Sequence, residues 1–195
     1  MNTEDKILSL IETYGQNKNI QTAKTVMQTI LMDVLNRSNP KMLVFGLGYD
    51  SAFWYNATNC NTFFIEDNKK FIEMNAKISK DKIVYYKYDT KVSDGLLSQV
   101  KHKYVEPPTY LLENGPYDII FIDGPAGWNM KCPGRVLPIF WCEKLLNVGG
   151  TVYIDDANRD LEKRAIENFL VKSSLCVKIA EMDERDGLAI FQKKI

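Results

Sequence analysis

Apolar positions along this chain follow two periods. Five short unbroken apolar runs stand out: MLVFGLG (42–48), NTFFIED (61–67), KIVYYKYD (82–89), YDIIFID (117–123) and GTVYIDD (150–156). Runs of that length without polar alternation predict strands buried on both faces. Between them lie polar stretches with helical spacing: NKKFIEMNAKIS (68–79), VSDGLLSQVKHKY (92–104), RVLPIFWCEKLL (135–146) and RDLEKRAIENFLVK (159–172). Pro138 is expected either in the first turn of the third helix or as a kink in it. Upstream, Thr3 caps an expected amphipathic helix through Tyr14, stopped by Gly15. A second helix carries Val26, Met27, Ile30, Leu31 and Val34 on one face and ends at Asn39-Pro40. Strands alternating with helices predict a parallel sheet covered on both faces. The segment SLCVKIAEMDERDGLAIFQKK (174–194) differs, reading as two strands around a turn at ERDG. The expected fold is therefore α/β: a mostly parallel, seven-stranded sheet closed by a C-terminal antiparallel hairpin, with helices on both faces. A single domain is expected, with N-terminal helices over 1–39 and the core over 40–195.

Composition narrows the partners. The 25 basic and 25 acidic residues cancel, so no general attraction to nucleic acid or to an anionic membrane is expected. The four cysteines, Cys60, Cys132, Cys142 and Cys176, form no CxxC pair and no zinc-type spacing, which suggests free thiols in a reducing compartment. No signal-type N-terminal stretch is present and no apolar run approaches the roughly 20 residues that span a bilayer. A cytoplasmic protein with no membrane segment is the expectation. The single histidine, His102, has no Ser or Asp partner and no metal cluster at a suitable spacing. It reads as a solvated side chain, and no metal site is expected.

The chemistry gathers where strands end. Four of the apolar runs finish on carboxylates: Glu66 and Asp67, Asp89, Asp123, and Asp155 with Asp156. Ligands of doubly wound sheets bind outside those carboxyl ends. Each Asp could instead be a helix N-cap, but a ring of four such ends is poorly explained by capping alone. FGLGYDS (45–51) follows the first strand, and Gly46 and Gly48 permit a close backbone approach. The motif departs from GxGxxG, since Ser51 takes the last glycine position. Glu66 is placed to accept hydrogen bonds from ribose hydroxyls. After Asp123 comes GPAGWNMKCPGR, a loop rich in restricted residues, in which Trp128 could stack on a sugar. Arg135 and Arg159 could grip a carboxylate as bidentate partners. A parallel sheet with a terminal hairpin is also the usual layout of class I, Rossmann-like methyltransferases, a likeness at the level of fold.

LVFGLGYDSAFW, TFFIEDN, YDTKVSD, YDIIFIDGPAGW, CPGRVLPIFWCEKL and VYIDDANRDLEK, with NIQTAKTV upstream, strongly resemble the glucuronoxylan 4-O-methyltransferase family, the DUF579 polysaccharide-biosynthesis methyltransferases. The resemblance covers most of residues 19–195. It implies transfer of a methyl group from S-adenosyl-L-methionine to O4 of a glucuronic acid in a glycan. It also implies roles by position. Gly46, Gly48 and Asp50 would line the methionine part, Glu66 and Asp67 the ribose, and Asp89 the adenine edge. Asp123 would lie beside the transferred methyl, with 124–135 shaping the acceptor site. Asp155 stands where plant members carry a histidine. Asp123 and Asp156 are the candidates to take the hydroxyl proton, facing the acceptor. Trp128, Arg135, Asp155 and Arg159 would meet the substrate. Two alternatives remain beside this one: a methyltransferase of a nucleotide sugar or other small hydroxylated molecule, and a non-catalytic binding protein on the same fold.

Overall fold

The computed structural model describes residues 3–15, 17–96, 104–183 and 186–194. Expectations for His102, and for Glu184 and Arg185 of the hairpin turn, lie outside the described residues.

The strands β1 (Met42–Phe45), β2 (Thr62–Glu66), β3 (Ile83–Tyr85), β4 (Tyr117–Ile122), β5 (Leu146–Asp155), β6 (Cys176–Met182) and β7 (Leu188–Lys193) form one sheet in the order β3-β2-β1-β4-β5-β7-β6. The pairings among β3, β2, β1, β4 and β5 are parallel, and β7 runs antiparallel between β5 and β6. This is the expected seven-stranded sheet with its closing hairpin.

The unbroken apolar runs have a direct cause. Side chains alternate across a strand, so a strand covered on both sides must be apolar at every position. Leu43 and Phe45 of β1 enter one core with Ile120 and Ile122 of β4 and Val152 and Ile154 of β5. Met42 and Val44 enter the opposite core with Ile119, Phe121 and Tyr153. The first core is closed by α7 (Val136–Leu145) and α8 (Asp160–Ile166), through residues such as Trp141 and Leu161. The second is closed by α1 (Thr3–Gly15), α2 (Lys24–Leu35) and α3 (Ser51–Ala57), through Ile11, Ile30 and Trp54. The N-terminal helices thus share a core with the sheet. Pro138 is the third residue of α7, in the first turn, where its missing N–H costs no helical bond.

The short helices α4 (Lys69–Met74), α5 (Val92–Leu96) and α6 (Thr109–Asn114) complete the crossovers on the β2–β3 side. One strand is shorter than expected. KIVYYKYD was read as a strand ending on Asp89, but pairing stops at Tyr85 opposite Glu66. β3 lies at the sheet edge with only β2 as neighbour, so the ladder cannot outlast β2. Residues 86–91 then run as irregular chain, and the Tyr/Lys alternation does not continue as sheet.

Candidate active site

β1 is at the switch point of the sheet, because the chain runs outward from it through β2 to β3 on one side and then crosses back to β4 and β5 on the other. A crevice opens there beyond the strand ends, as such topology requires. It is a cleft of about 500 Å³.

One wall is the β1–α3 turn. Gly46 adopts φ +109°, a conformation that L side chains rarely adopt, and it packs directly against Gly124. A Cβ on Gly124 would lie 3.0 Å from Gly46 Cα and 3.2 Å from Phe45 O, both backbone atoms that cannot rotate away. Gly124→Ala is accordingly expected to destabilise the protein by about 1–3 kcal/mol, as overpacking does. A urea midpoint equal to that of the wild type would refute this. Gly48 donates its N–H to Ser51 Oγ (2.8 Å), and a Cβ there would press on Asp50 Oδ1 at 3.1 Å. Asp50 is buried, with Oδ2 accepting from Thr22 Oγ1 and from Trp54 Nε1, both at 2.9 Å. Burial raises its pKa, and the Trp54 and Thr22 hydrogen bonds oppose that rise.

Glu66 ends β2 on the same wall. Its Oε2 accepts from Leu47 N at 2.6 Å and its Oε1 from Asn68 N at 2.7 Å. These bonds hold the carboxyl pointing across the turn. Desolvation outweighs both, and with the neighbouring Asp67 it pushes the Glu66 pKa up to about 7.

The other wall is organised around a cation. Arg135, the residue before α7, has a side chain only 5% exposed. Its Nη2 lies 2.5 Å from Asp156 Oδ2, 3.5 Å from Asp123 Oδ1 and 2.6 Å from Asp123 O. Its Nη1 bonds the carbonyl of Asp155 and lies 3.8 Å from that residue's Oδ2. One guanidinium therefore ties the end of β4 to the end of β5. Converging carboxylates would otherwise repel one another across a poorly hydrated floor. Arg159 Nη1 also reaches Asp156 Oδ2 (2.7 Å), while its Nη2 holds Asp186 of the β6–β7 turn at 3.0 Å.

The three carboxylates do not have equal settings. Asp156 has φ +57°, and its Oδ2 is held between two guanidiniums. Burial raises its pKa, against the pull of Arg135. The Asp123 side chain keeps 36% exposure, toward the cleft. Its pKa is nonetheless driven well above the ordinary value, first by desolvation. Arg135 opposes that, while Asp50, Asp155 and a carboxyl–carboxyl hydrogen bond with Asp155 push it further up. Asp123 is thus the carboxylate of this wall with a raised proton affinity and an open face.

Eleven of the twelve residues singled out from sequence line this one cleft: Gly46, Gly48, Asp50, Glu66, Asp67, Asp123, Trp128, Arg135, Asp155, Asp156 and Arg159. Asp89 is the exception. It is exposed on the irregular chain after β3 and does not line the cleft, whereas its buried neighbour Tyr88 does. Arg135 is in the cleft but not in the expected relation to a substrate. Its charge is engaged by Asp123, Asp155 and Asp156, and its backbone N–H donates to the buried Glu162 (3.2 Å). The start of α7 is thereby filled by a carboxylate of the protein itself. Thr22, with Asn19 and Gln21, also lines the cleft and escaped the strand-end argument, because it lies between α1 and α2. Its only sequence signal is the NIQTAKTV stretch. Asp186 arrives from the hairpin turn and carried none. Among the described residues, no cluster of three or more His, Cys, Asp or Glu is arranged to hold a metal ion, and no helix is long and apolar enough to cross a membrane.

No family model matches the chain. Individual relatives do. It is 31% identical over 162 residues to glucuronoxylan 4-O-methyltransferase 2 of Arabidopsis thaliana, covering 70% of this chain and 56% of that protein. It is 28% identical over 194 residues to the protein IRREGULAR XYLEM 15 of the same plant, covering 84% and 56%. Arabinogalactan O-methyltransferase 1, also from that plant, is 27% identical over 175 residues, covering 74% and 60%. The chain spans little more than half the length of these curated relatives. Among solved structures, an SAH-bound methyltransferase from Podospora anserina superposes with a TM-score of 0.55 at 14% identity, covering 98% of this chain and 88% of that one. A methyltransferase from Geobacter sulfurreducens gives 0.57 at 12%, covering 99% and 88%. An S-adenosylmethionine-dependent O-methyltransferase from Thermotoga maritima gives 0.55 at 15%, covering 95% and 71%. At such identities these likenesses speak for the fold, which is that of class I methyltransferases. The plant relatives, 27–31% identical over 70–84% of this chain, are homologues from the glucuronoxylan 4-O-methyltransferase, or DUF579, family.

Proposed function

We propose that the chain is an S-adenosylmethionine-dependent O-methyltransferase acting on a sugar hydroxyl, O4 of a glucuronic acid carried by a glycan. The observation that carries the reading is the division of the cleft. A nucleoside-type wall at β1 and β2 faces a carboxylate wall at β4 and β5 that holds a group able to take a proton. The residues suit the donor. Glu66 is fixed by two backbone N–H groups with its remaining lone pairs free for vicinal hydroxyls, and the Gly46–Gly124 contact leaves the turn low. When bound, the donor supplies a methyl group already activated on a sulfonium.

The protein's part is then alignment and proton removal. Asp123 takes the proton from the acceptor hydroxyl, its pKa raised by burial and by the neighbouring carboxyls, which makes it a better proton acceptor than an ordinary carboxylate. Asp156, between two guanidiniums, serves as the fixed charge that orients them. Arg159, 27% exposed at the cleft rim, replaces Arg135 as the group that meets the acceptor's carboxylate. Trp128, 75% exposed, offers its ring to the sugar.

Calorimetric titration with S-adenosylhomocysteine, followed by labelled-methyl transfer to a glucuronic-acid-bearing xylan fragment and to its neutral hexose counterpart, tests this. Donor-product binding with transfer to the acidic acceptor is expected. Absence of binding would sink the methyltransferase reading, and equal use of both sugars would sink the uronic-acid reading.

The same titration has a predicted pH dependence. With Glu66 titrating at about 7, affinity for S-adenosylhomocysteine should weaken by roughly tenfold from pH 8 to pH 6, as the ionised, hydrogen-bond-accepting fraction shrinks. Glu66→Gln should remove that dependence while binding more weakly throughout. A wild-type affinity constant across this range would contradict the ribose assignment.

A further inference from the structure

A second groove, of about 580 Å³, adjoins the cleft and shares Gly127, Trp128 and Arg159 with it. We propose that this groove is a subsite for neutral sugar residues flanking the methylated one, so that the acceptor is engaged as an oligosaccharide over more than one ring. The inference rests on the proposed sugar-methylating role of the cleft.

The groove meets the cleft at Gly127, Trp128 and Arg159, which line both. At Gly127 a Cβ would lie 3.2 Å from Glu162 Oε1 and 3.5 Å from Arg159 Nη1, so the bare Cα lets the loop sit close against these side chains. The loop is also held in place. Gly134 N donates to Ala126 O (2.9 Å), Val92 N to Cys132 O (2.8 Å) and Ser93 N to Met130 O (3.0 Å). Asn129 Oδ1 accepts from the N–H groups of Lys131 (2.8 Å) and Cys132 (3.1 Å). A loop so tied displays Trp128 and Met130 at 75% and 54% exposure. Large apolar side chains on a fixed loop form a ready surface for a ligand, because little ordering cost remains.

The opposite rim is polar. Asn158 and Asp160 are exposed there, above the buried Leu161 and Val92. An apolar platform facing a few hydroxyl-binding groups is what a pyranose ring requires, with an apolar face and polar edges. Charge selects the kind of sugar. Asp160 is exposed in the groove, and the Arg159 guanidinium is drawn toward Asp156 and Asp186, which line the cleft and not the groove. An acidic sugar would be repelled from the groove, and a neutral one would not. The acidic residue of the acceptor thus belongs in the cleft and its neutral neighbours in the groove.

The test compares methyl glucuronide with a glucuronic-acid-bearing xylotetraose as acceptors. In the wild type the oligosaccharide should show a KM at least about tenfold lower, the worth of one or two added hydrogen bonds and a stacked ring. Met130→Ala and Asp160→Ala should each raise the oligosaccharide KM by roughly 3–10-fold. Both should leave the monosaccharide KM and the affinity for S-adenosylhomocysteine unchanged. Equal wild-type KM values for the two acceptors, or equal shifts for both acceptors in the variants, would overturn the subsite. Should neither acceptor be methylated, calorimetry with unsubstituted xylotetraose still decides. Binding that weakens in Met130→Ala supports the groove, and no binding to the wild type overturns it.

Discussion

Arg135→Met is expected to lower the stability of the native state by about 3–5 kcal/mol at pH 7, the range for removing one partner of a buried ion pair. The side chain it replaces is almost wholly buried among Asp123, Asp155 and Asp156, and methionine keeps much of its volume without its charge or donors. Most of the loss should come through Asp156, whose side chain is 12% exposed, because water in the cleft screens the more exposed Asp123. The pH dependence separates charge from packing. Burial already raises the Asp123 and Asp156 pKa values against the pull of Arg135, so without the guanidinium these two carboxyls titrate still higher in the folded state than in the unfolded chain. The native variant then binds protons that the unfolded chain does not, so its stability rises as pH falls. The gap from wild type should narrow between pH 7 and pH 5 in urea titrations. A gap independent of pH would mean that Arg135 acts by packing alone. Arg135→Lys should fall between the two, since an ammonium keeps the charge but cannot span two strand ends with a planar fork.

Asp123→Asn is expected to lower turnover by roughly 10²–10⁴-fold, the usual contribution of a positioned general base. The affinity for S-adenosylhomocysteine should change little. The amide keeps the shape of the side chain and one oxygen for Arg135, but it cannot receive a proton. In the wild type, turnover should rise with pH along a limb set above the ordinary carboxylate range, because Asp123 must be ionised to act and its pKa is raised by burial and neighbouring carboxyls. That limb should be missing in Asp123→Asn. Asp156→Asn serves as the contrast. It should disturb stability more than chemistry, since Arg135 and Arg159 both rest on Asp156 Oδ2. A larger loss of turnover from Asp156→Asn than from Asp123→Asn would return the base to Asp156.

Much of this architecture could be read along the chain. The runs at 42–48, 61–67, 117–123 and 150–156 became β1, β2, β4 and β5, and the segment around ERDG became β6 and β7. Those readings succeeded because a strand covered on both faces leaves its mark on consecutive residues, which needs no knowledge of its partners. The carboxylates at strand ends met in one cleft for a similar reason, since parallel strands bring all their carboxyl ends to one edge of the sheet. Asp89 failed the same argument because the length of an edge strand depends on its neighbour, and β2 had already ended.

The residues that line the cleft were thus largely written in the sequence, while their relations were not. Nothing in the spacing of Asp123, Arg135, Asp155 and Asp156 says that one guanidinium sits among three carboxylates and leaves Arg159 nearer the rim. Nor does it say that Thr22 from the α1–α2 segment bonds the buried Asp50. Local pattern determines which face of a strand or helix is apolar, because that face repeats every two or 3.6 residues. The partner of a charged side chain depends instead on which strand ends become neighbours in the sheet order β1-β4-β5-β7. That adjacency belongs to the folded chain alone, and it decides which carboxylate is held between guanidiniums and which keeps an open face toward the cleft.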